Sequence, residues 1–172
     1  MDNIKISKRK KVSKGEVLLN LGSIASYGYK VETGCLRSYV IDQSGKEHIL
    51  QFAPEGWLIS DLDSFTNRKP AVIFIDAIED SEVSFISKSD FGDLYSLDKA
   101  VLIEMNIKFR NNFIVTNKRI ISLLSATAEE RYIEFTETYP TLVQRIPLKL
   151  IASYIGITPE YLSELRRKIA KK

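Results

Sequence analysis

Acidic, basic and hydroxyl side chains are concentrated near the end of the sequence, between residues 158 and 168. Many of them lie three or four positions apart, the spacing that brings side chains onto one side of an α-helix. Carboxylates and hydroxyls on such a surface can hydrogen-bond to base edges, while arginine and lysine can neutralise phosphates. Nine residues are candidates for these contacts: Thr158, Pro159, Glu160, Tyr161, Ser163, Glu164, Arg166, Arg167 and Lys168.

The surrounding stretch, LKLIASYIGITPEYLSELRRKIAKK, has the pattern of two short helices joined by a tight turn. Ala152 is small enough for two helices to cross closely, Gly156 permits the turn, and Leu162 can pack back on the first helix. Thr158 suits an N-cap, and Pro159 suits the first helical position, where no hydrogen-bond donor is needed. The small core would be completed by Ile151, Ile155, Ile157 and Leu165. The pattern predicts a helix-turn-helix, with an ordinary helical hairpin as the alternative.

The second of these helices would present its outward side chains to the major groove of double-stranded DNA. We expect Glu160 to read base sequence, because a carboxylate opposes phosphates unless a base donates a hydrogen bond to it. Arg166, Arg167 and Lys168 would mainly neutralise phosphates.

A long helix is predicted from about Lys99 to Leu124, where the sequence has no glycine or proline. Such a helix would be ~39 Å long, more than a small β-structure needs to cover itself. The excess predicts a partner helix, and therefore a homodimer. The alternative is a helix packed wholly on its own chain. The predicted dimerisation seam consists of six apolar residues: Leu102, Met105, Phe109, Phe113, Ile120 and Leu123.

A further helix is predicted to begin at Thr127, because Glu130 follows at the capping-box spacing, and to end at Pro140. The next residues, TLVQRIP, are interpreted as a short extended segment.

The first half of the sequence predicts β-structure. Short segments rich in β-branched and aromatic residues, such as CLRSYVID and EHILQFAP, are separated by glycine-containing turns such as DQSGKE. This spacing is typical of an antiparallel barrel or sandwich. The expected fold class is therefore α+β. We expect a β-barrel sensor domain over 1–97, a dimerisation helix over 98–125 and a helix-turn-helix domain over 126–172.

Composition limits the function. The 172 residues include a single cysteine, Cys35, and a single histidine, His48, so we expect no metal site, iron–sulfur cluster or other cofactor. Cys35 is interpreted as an ordinary strand cysteine and His48 as a surface residue. Cupin-type catalysis needs several histidines, so we do not expect an enzyme. No apolar run is long enough for a membrane span and no signal peptide is recognisable, which predicts a cytoplasmic protein.

Charge is unevenly distributed along the chain. Residues 1–14 carry six basic side chains and one acidic one, and residues 145–172 carry seven and two. Residues 15–144 carry twelve basic and nineteen acidic side chains. An acidic body with a basic end favours contact between that end and phosphates. The alternative for residues 1–14 is a solvated tail.

The order of these elements resembles the CRP/FNR family of transcription regulators over about residues 12–172. The motifs that carry the resemblance are KGEVLLNLG, TGCLRSYVIDQSGKE, FAPEGWLISDL and LKLIASYIGITPEYLSELRRKI. The resemblance implies a cyclic-nucleotide-binding-like jelly roll, a dimerisation helix and a homodimer that reads a palindromic operator. It also implies RNA polymerase as a further partner.

The sequence departs from the family at the cyclic-nucleotide cassette. Ser60 and Asp61 stand where members that bind cyclic AMP have Gly-Glu, and Pro70-Ala71 falls near their Arg-Ser. We therefore expect that cyclic AMP does not bind in the usual way. The alternative is that an unknown small-molecule effector binds instead. The candidate lining of a pocket is Phe52, Trp57, Ile59, Asp61, Leu62 and Arg68. The alternative is that these residues simply fill the barrel.

A second departure lies at the C-terminus, where family members usually continue into a β-hairpin wing. We expect the helix-turn-helix to lack a full wing, with Lys168, Lys171 and Lys172 replacing some of its phosphate contacts. Glu164 occupies the position of a base-reading arginine, so the family's DNA site is not carried over. The alternative function is a small-molecule-binding barrel sensor that acts through a protein partner.

Overall fold

The computed structural model describes residues 8–88 and 98–170, which form two compact units. The β-sheet unit comprises the described residues of 1–40 and 50–111. The helical unit comprises those of 41–49 and 112–172.

The strands among the described residues are β1 Lys8–Val12, β2 Val17–Leu19, β3 Tyr27–Thr33, β4 Leu36–Ile41, β5 Glu47–Ala53, β6 Leu58–Ile59, β7 Phe74–Ala77 and β8 Ser81–Ser87. They form two four-stranded sheets, with strand orders β1-β8-β3-β6 and β2-β7-β4-β5. The pairs β1–β8, β3–β8, β3–β6, β2–β7 and β4–β7 are antiparallel. Neighbouring strands distant in sequence are typical of a jelly roll. The predicted antiparallel β-structure and the α+β class are confirmed.

The core of the β-sheet unit comes from the inward-facing positions of these strands. It is formed by buried side chains such as Val31, Leu36, Ile75 and Val83, each with no exposed surface. Alternate positions point away from this core, as the two-residue period of a strand requires. The turn DQSGKE was predicted correctly, because it joins β4 to β5.

A buried ion pair links the neighbouring strands β4 and β7 on the face of their sheet that points away from this core. Arg37 on β4 lies opposite Asp76 on β7. Its Nε and Nη2 donate to the two carboxylate oxygens of Asp76 at 2.7 and 2.9 Å. The guanidinium also lies over the ring of Tyr39, 4.2 Å from its centre. Both partners are more than nine-tenths buried, so each neutralises a charge that water does not reach.

Five helices follow or interrupt the strands within the described residues: α1 Leu62–Asn67, α2 Lys99–Ser125, α3 Ala128–Thr138, α4 Leu148–Ile155 and α5 Pro159–Ile169. The predicted long helix is confirmed as α2. Among the described residues, no helix has the length and apolar character to cross a membrane.

The start of α3 follows the sequence prediction. Thr127 accepts a hydrogen bond from the Glu130 N–H, and the Glu130 carboxylate accepts one from the Thr127 N–H. The extended segment predicted for TLVQRIP is wrong, because these residues form consecutive turns. Leu142 and Ile146, four positions apart, are both buried, and the Ile146 N–H donates to the Leu142 carbonyl. In a segment of only seven residues, two apolar residues at helical spacing do not distinguish a helical turn from an extended segment.

Candidate nucleic-acid interface

The connection between α4 and α5 is a tight left-handed turn at Gly156. Its φ of 74° lies in the region that glycine adopts without steric cost. The Gly156 N–H donates to the Ser153 carbonyl and the Ile157 N–H donates to the Ala152 carbonyl at 3.0 Å. This pair of bonds is a Schellman motif, which satisfies the last carbonyls of α4. The turn predicted at Gly156 is therefore confirmed.

The two helices pack as the sequence predicts. Ala152 and Leu162 are fully buried, and Leu165 is nearly so. Helix α3 extends this core with an aromatic cluster in which the rings of Phe135, Tyr139 and Tyr154 lie 5.4 to 5.7 Å apart. The helix-turn-helix therefore rests on a core of its own rather than on isolated helical propensity.

Gly156→Ala is expected to lower the free energy of unfolding of the helical unit by about 1–3 kcal/mol. A Cβ at this position would adopt an unfavourable positive φ and would lie 3.1 Å from Leu123 Cδ2. Thermal unfolding followed by circular dichroism measures the loss. Gly45→Ala is the matched control, because it has the same positive φ and no atom within 4 Å of the added Cβ. An equal loss in both variants would show that Leu123 contributes nothing.

The start of α5 fixes the direction of the presented helix. The Thr158 hydroxyl accepts the Tyr161 N–H at 3.2 Å, and Pro159 occupies the first helical position. Glu160 follows in the first turn, where the partial positive charge of the helix N-terminus favours a carboxylate. The predicted cap is therefore present.

The outward face of α5 combines exposed aromatic, acidic and basic groups. Tyr161 is about half exposed. Glu164 and Lys168 form an ion pair of 2.9 Å one turn apart. The hydrogen bond from Lys168 holds the pKa of Glu164 below its usual value, and the same bond raises the pKa of Lys168. Because this pair is internally balanced, the excess positive charge of the face comes from Arg166 and Arg167.

The remaining predicted residue of this face, Ser163, is half-buried. Its hydroxyl donates to the Pro159 carbonyl at 2.9 Å, while Arg167 Nε donates to the Ser163 carbonyl at 3.4 Å. The Ser163 hydroxyl is therefore already hydrogen-bonded within α5. Lys171 and Lys172 lie outside the described residues.

One set of contacts in the helical unit could not be read from the sequence. The Ser153 hydroxyl on α4 donates to the Glu47 carbonyl at 2.9 Å and accepts the Ile49 N–H at 3.1 Å. Arg119 donates to the carbonyls of Ile49 and Tyr154 and lies over the Tyr154 ring. Burial lowers the pKa of Arg119. These bonds join the first helix of the pair to Glu47 and Ile49 at the start of β5.

The candidate ligand residues differ in exposure and in the contacts that they make. Phe52 and Ile59 are buried in the protein interior, Trp57 packs against the core, and Leu62 is more than half exposed. Asp61 caps α1: one carboxylate oxygen accepts the Ser64 N–H and the other accepts the Val72 N–H. Arg68 lines a cleft in the β-sheet unit. His48 is a surface residue paired with Asp42, and Cys35 is buried.

The predicted dimerisation residues divide into two groups. Met105 is buried against Leu58, Ile86 and Val101 of its own chain, so it belongs to the core of the β-sheet unit. The other five are exposed to an extent unusual for large apolar side chains: Leu102, Phe109, Phe113, Ile120 and Leu123.

The chain is similar to known bacterial regulatory proteins in sequence and in structure. The cyclic nucleotide-binding domain family matches residues 9–98. The chain is 28% identical to the anaerobic regulatory protein of Pasteurella multocida and 27% identical to the regulatory protein HlyX of Actinobacillus pleuropneumoniae. Both alignments span 99% of this chain, with 66% of the first relative and 75% of the second.

Solved structures share the fold. FixK2 from Bradyrhizobium japonicum superposes with a TM-score of 0.80 at 21% identity, over 95% of this chain and 84% of that protein. A transcriptional regulator of the CRP/FNR family from Thermus thermophilus superposes with a TM-score of 0.71 at 15% identity, over 95% and 86% of the two chains. At such identities the structural likeness establishes the fold alone, while the domain match covers more than half of the chain. The chain therefore belongs to the cyclic nucleotide-binding domain family, and its sequence and fold together identify it as a CRP/FNR family transcription regulator.

Proposed function

We propose that this transcription regulator binds double-stranded DNA as a cytoplasmic homodimer and places α5 in the major groove of each half of a palindromic operator. The observation that carries the proposal is the capped helix α5, set by the Schellman turn at Gly156 against a buried core. A rigid support of this kind is what a recognition helix needs. RNA polymerase is a further proposed partner.

Charges on α5 support a division between two kinds of contact. Arg166 and Arg167 provide the excess positive charge near the end of the helix, where phosphates would lie. Glu160 stands apart from them in the first turn, where the helix dipole tolerates its charge. A carboxylate facing DNA is favourable when it accepts a hydrogen bond from the amino group of cytosine. Glu160 is therefore assigned to base reading.

Helix α2 supplies the proposed dimer contact through its five exposed apolar residues. Pairing would remove these side chains from water, which is the largest favourable contribution to most associations. A two-fold dimer presents its two α5 helices to half-sites about one helical turn apart.

Cyclic AMP is proposed not to bind in the manner of the family cassette. Both carboxylate oxygens of Asp61 already accept backbone hydrogen bonds, so they are committed to holding α1. Ala71 is buried and cannot supply the guanidinium that the family cassette has near this position. The chain is proposed to act without catalysis. Among the described residues, no cluster of potential metal ligands is present.

The function is tested by sequencing DNA fragments that the purified protein retains. The expected result is a palindrome whose half-sites are about 10 base pairs apart, centre to centre. Affinity should fall steeply as salt concentration rises, because each neutralised phosphate releases counterions. Fragments without a common sequence, bound with no salt dependence, would favour the alternative of a sensor that acts through a protein partner.

Substitutions in α5 separate phosphate contacts from base reading. Arg167→Ala should weaken binding to all sequences and reduce the slope of log affinity against log salt by about two for a dimer, one contact per half-site. Glu160→Ala should leave that slope unchanged and relax preference at one base position, with a discrimination loss of about 1–3 kcal/mol. Fluorescence anisotropy on operator and single-base variants measures both. Uniformly tighter binding by Glu160→Ala would assign base reading to Tyr161 and Ser163 instead.

A further inference from the structure

The β-sheet unit contains a cleft of about 290 Å³ whose lining includes Arg68 but none of the other candidate ligand residues. It is lined by Ala25, Ser26, Tyr27, Phe65, Arg68, Ser87 and Lys88. The volume is just below the usual range of about 300–1,000 Å³ for small-molecule sites, so the cleft fits only a small organic compound.

Arg68 has the most unusual backbone of this lining. Its φ of 59° and ψ of 30° are left-handed, and it is the one non-glycine residue with positive φ in the described parts of the chain. It ends α1 at a position that glycine or asparagine usually occupies. Strain of this kind is found preferentially at binding and active sites. The residue that carries the strain here is a cation at a cleft.

Buried hydrogen bonds hold Arg68 in this conformation. Its N–H donates to the Ser64 carbonyl at 3.0 Å, and the Ser64 hydroxyl accepts the Ala25 N–H at 2.9 Å. Ser64 and Asp61 are both more than nine-tenths buried, and Asp61 caps the other end of α1. The helix and the Ala25 wall of the cleft are thus joined before any ligand arrives, which reduces the entropic cost of binding.

The polar lining of the cleft is cationic. Within the described residues, the guanidinium of Arg68 makes no hydrogen bond and no ion pair. Lys88 Nζ donates to the Thr66 carbonyl at 2.7 Å, which keeps a second positive charge at the same end of α1. None of the seven lining residues is acidic, and the nearby Asp63 is already paired with Lys69. Charge therefore favours an anion, for which a guanidinium supplies paired donors.

The other side chains of the cleft are apolar or hydroxylic. Phe65 and Ala25 are almost fully buried, and Tyr27 contacts the ring of Phe85 edge-to-face at 5.3 Å. Ser26 and Ser87 add hydroxyl groups. An aromatic wall beside a cationic pair suits a compound with an apolar or aromatic body and one phosphate or carboxylate.

The geometry points to this cleft as a binding site for a small organic anion, with Arg68 as the residue that holds the phosphate or carboxylate. The inference is independent of the proposed DNA binding, because every lining residue belongs to the β-sheet unit and the site can be tested without DNA.

The test is calorimetric titration of the full chain with phenyl phosphate, with inorganic phosphate and phenol as the two partial probes. Phenyl phosphate is expected to bind more tightly than either partial probe, because it alone engages both the cations and the aromatic wall. Tighter binding by phenol would show an apolar cleft without anion selectivity. Absence of heat from phenyl phosphate at millimolar concentration would overturn the assignment.

Arg68→Gly distinguishes loss of a contact from loss of the fold. Glycine adopts positive φ freely, so the variant should melt at or above the temperature of the wild type, yet bind phenyl phosphate about tenfold or more weakly. Lys69→Ala is the matched control, since it removes the adjacent positive charge outside the cleft. Equal weakening in both variants would mean that the loss of binding reflects general electrostatic attraction, and it would overturn the proposed site. Unchanged binding by Arg68→Gly would do the same.

Discussion

Arg37→Met is expected to lower the free energy of unfolding of the β-sheet unit by about 3–5 kcal/mol, the usual cost of breaking a buried ion pair. The substitution keeps an apolar side chain of similar length but leaves the Asp76 carboxylate charged and without its two guanidinium donors. It also removes the cation over the Tyr39 ring. Denaturant titration followed by the fluorescence of Trp57, the single tryptophan, reports on this unit.

The double variant Arg37→Met/Asp76→Leu is the control for this loss. Replacing both partners removes the unpaired charge, and apolar substitutes for buried ion pairs are often neutral or stabilising. We expect it to recover most of the stability that the single variant loses. A single-variant loss below about 1 kcal/mol, or no recovery in the double variant, would contradict a desolvated pair.

Those parts of the fold that depend on local chemistry were predictable from the sequence. Gly156, Thr158 and Pro159 mark a helix end and a helix start within four residues, so the turn could be placed at a single residue. The absence of glycine and proline defined α2 in the same way, and Thr127 with Glu130 defined the start of α3. Each signal acts through backbone geometry within a few residues.

Interactions that depend on tertiary pairing could not be predicted. Arg37 and Asp76 are 39 residues apart, and only the register of β4 against β7 brings them together. The same holds for the contacts of Ser153 with Glu47 and Ile49 at the start of β5. It also holds for the cleft beside Arg68, whose left-handed backbone has no sequence signal. Asp61 could be read as a departure from the family motif, but its role as a cap depends on where Val72 lies.

The sequence predicted where the apolar face of α2 lies, but not which surface covers it. Apolar periodicity shows that a helix has an apolar face, whereas the identity of the surface that covers it depends on the whole fold. Met105 illustrates this, since it shares the predicted seam and yet is buried by its own chain. Phe113 and Ile120 retain 69% and 49% of their surface, so the proposed second copy would cover them.

Phe113→Glu combined with Ile120→Glu is therefore expected to convert the proposed dimer into monomers. The two positions lie about two helical turns apart on one side of α2. In a dimer each carboxylate would be buried without a cation, an arrangement that costs several kcal/mol per ion. In the monomer the same side chains face water, so the variant should keep its fold and its thermal unfolding temperature. Sedimentation velocity measures the association state.

Asn111→Glu combined with Lys118→Glu is the matched control, because these exposed positions have the same spacing on another side of α2. It should stay dimeric. An unchanged dimer in the seam variant would exclude this face of α2 as the interface.

The same pair of variants tests whether dimerisation supports operator binding. Two linked α5 helices bind a palindrome with an effective concentration that a single helix lacks, so the monomeric variant should bind it about 10²–10⁴-fold more weakly than the wild type. Its affinity for an isolated half-site should be unchanged, since α5 and its supporting core are not altered. Anisotropy titrations of the two DNAs would then give nearly equal affinities for the monomer and widely different ones for the wild type and the control. Equal loss on both DNAs would instead mean that α2 holds the recognition helix in place within one chain.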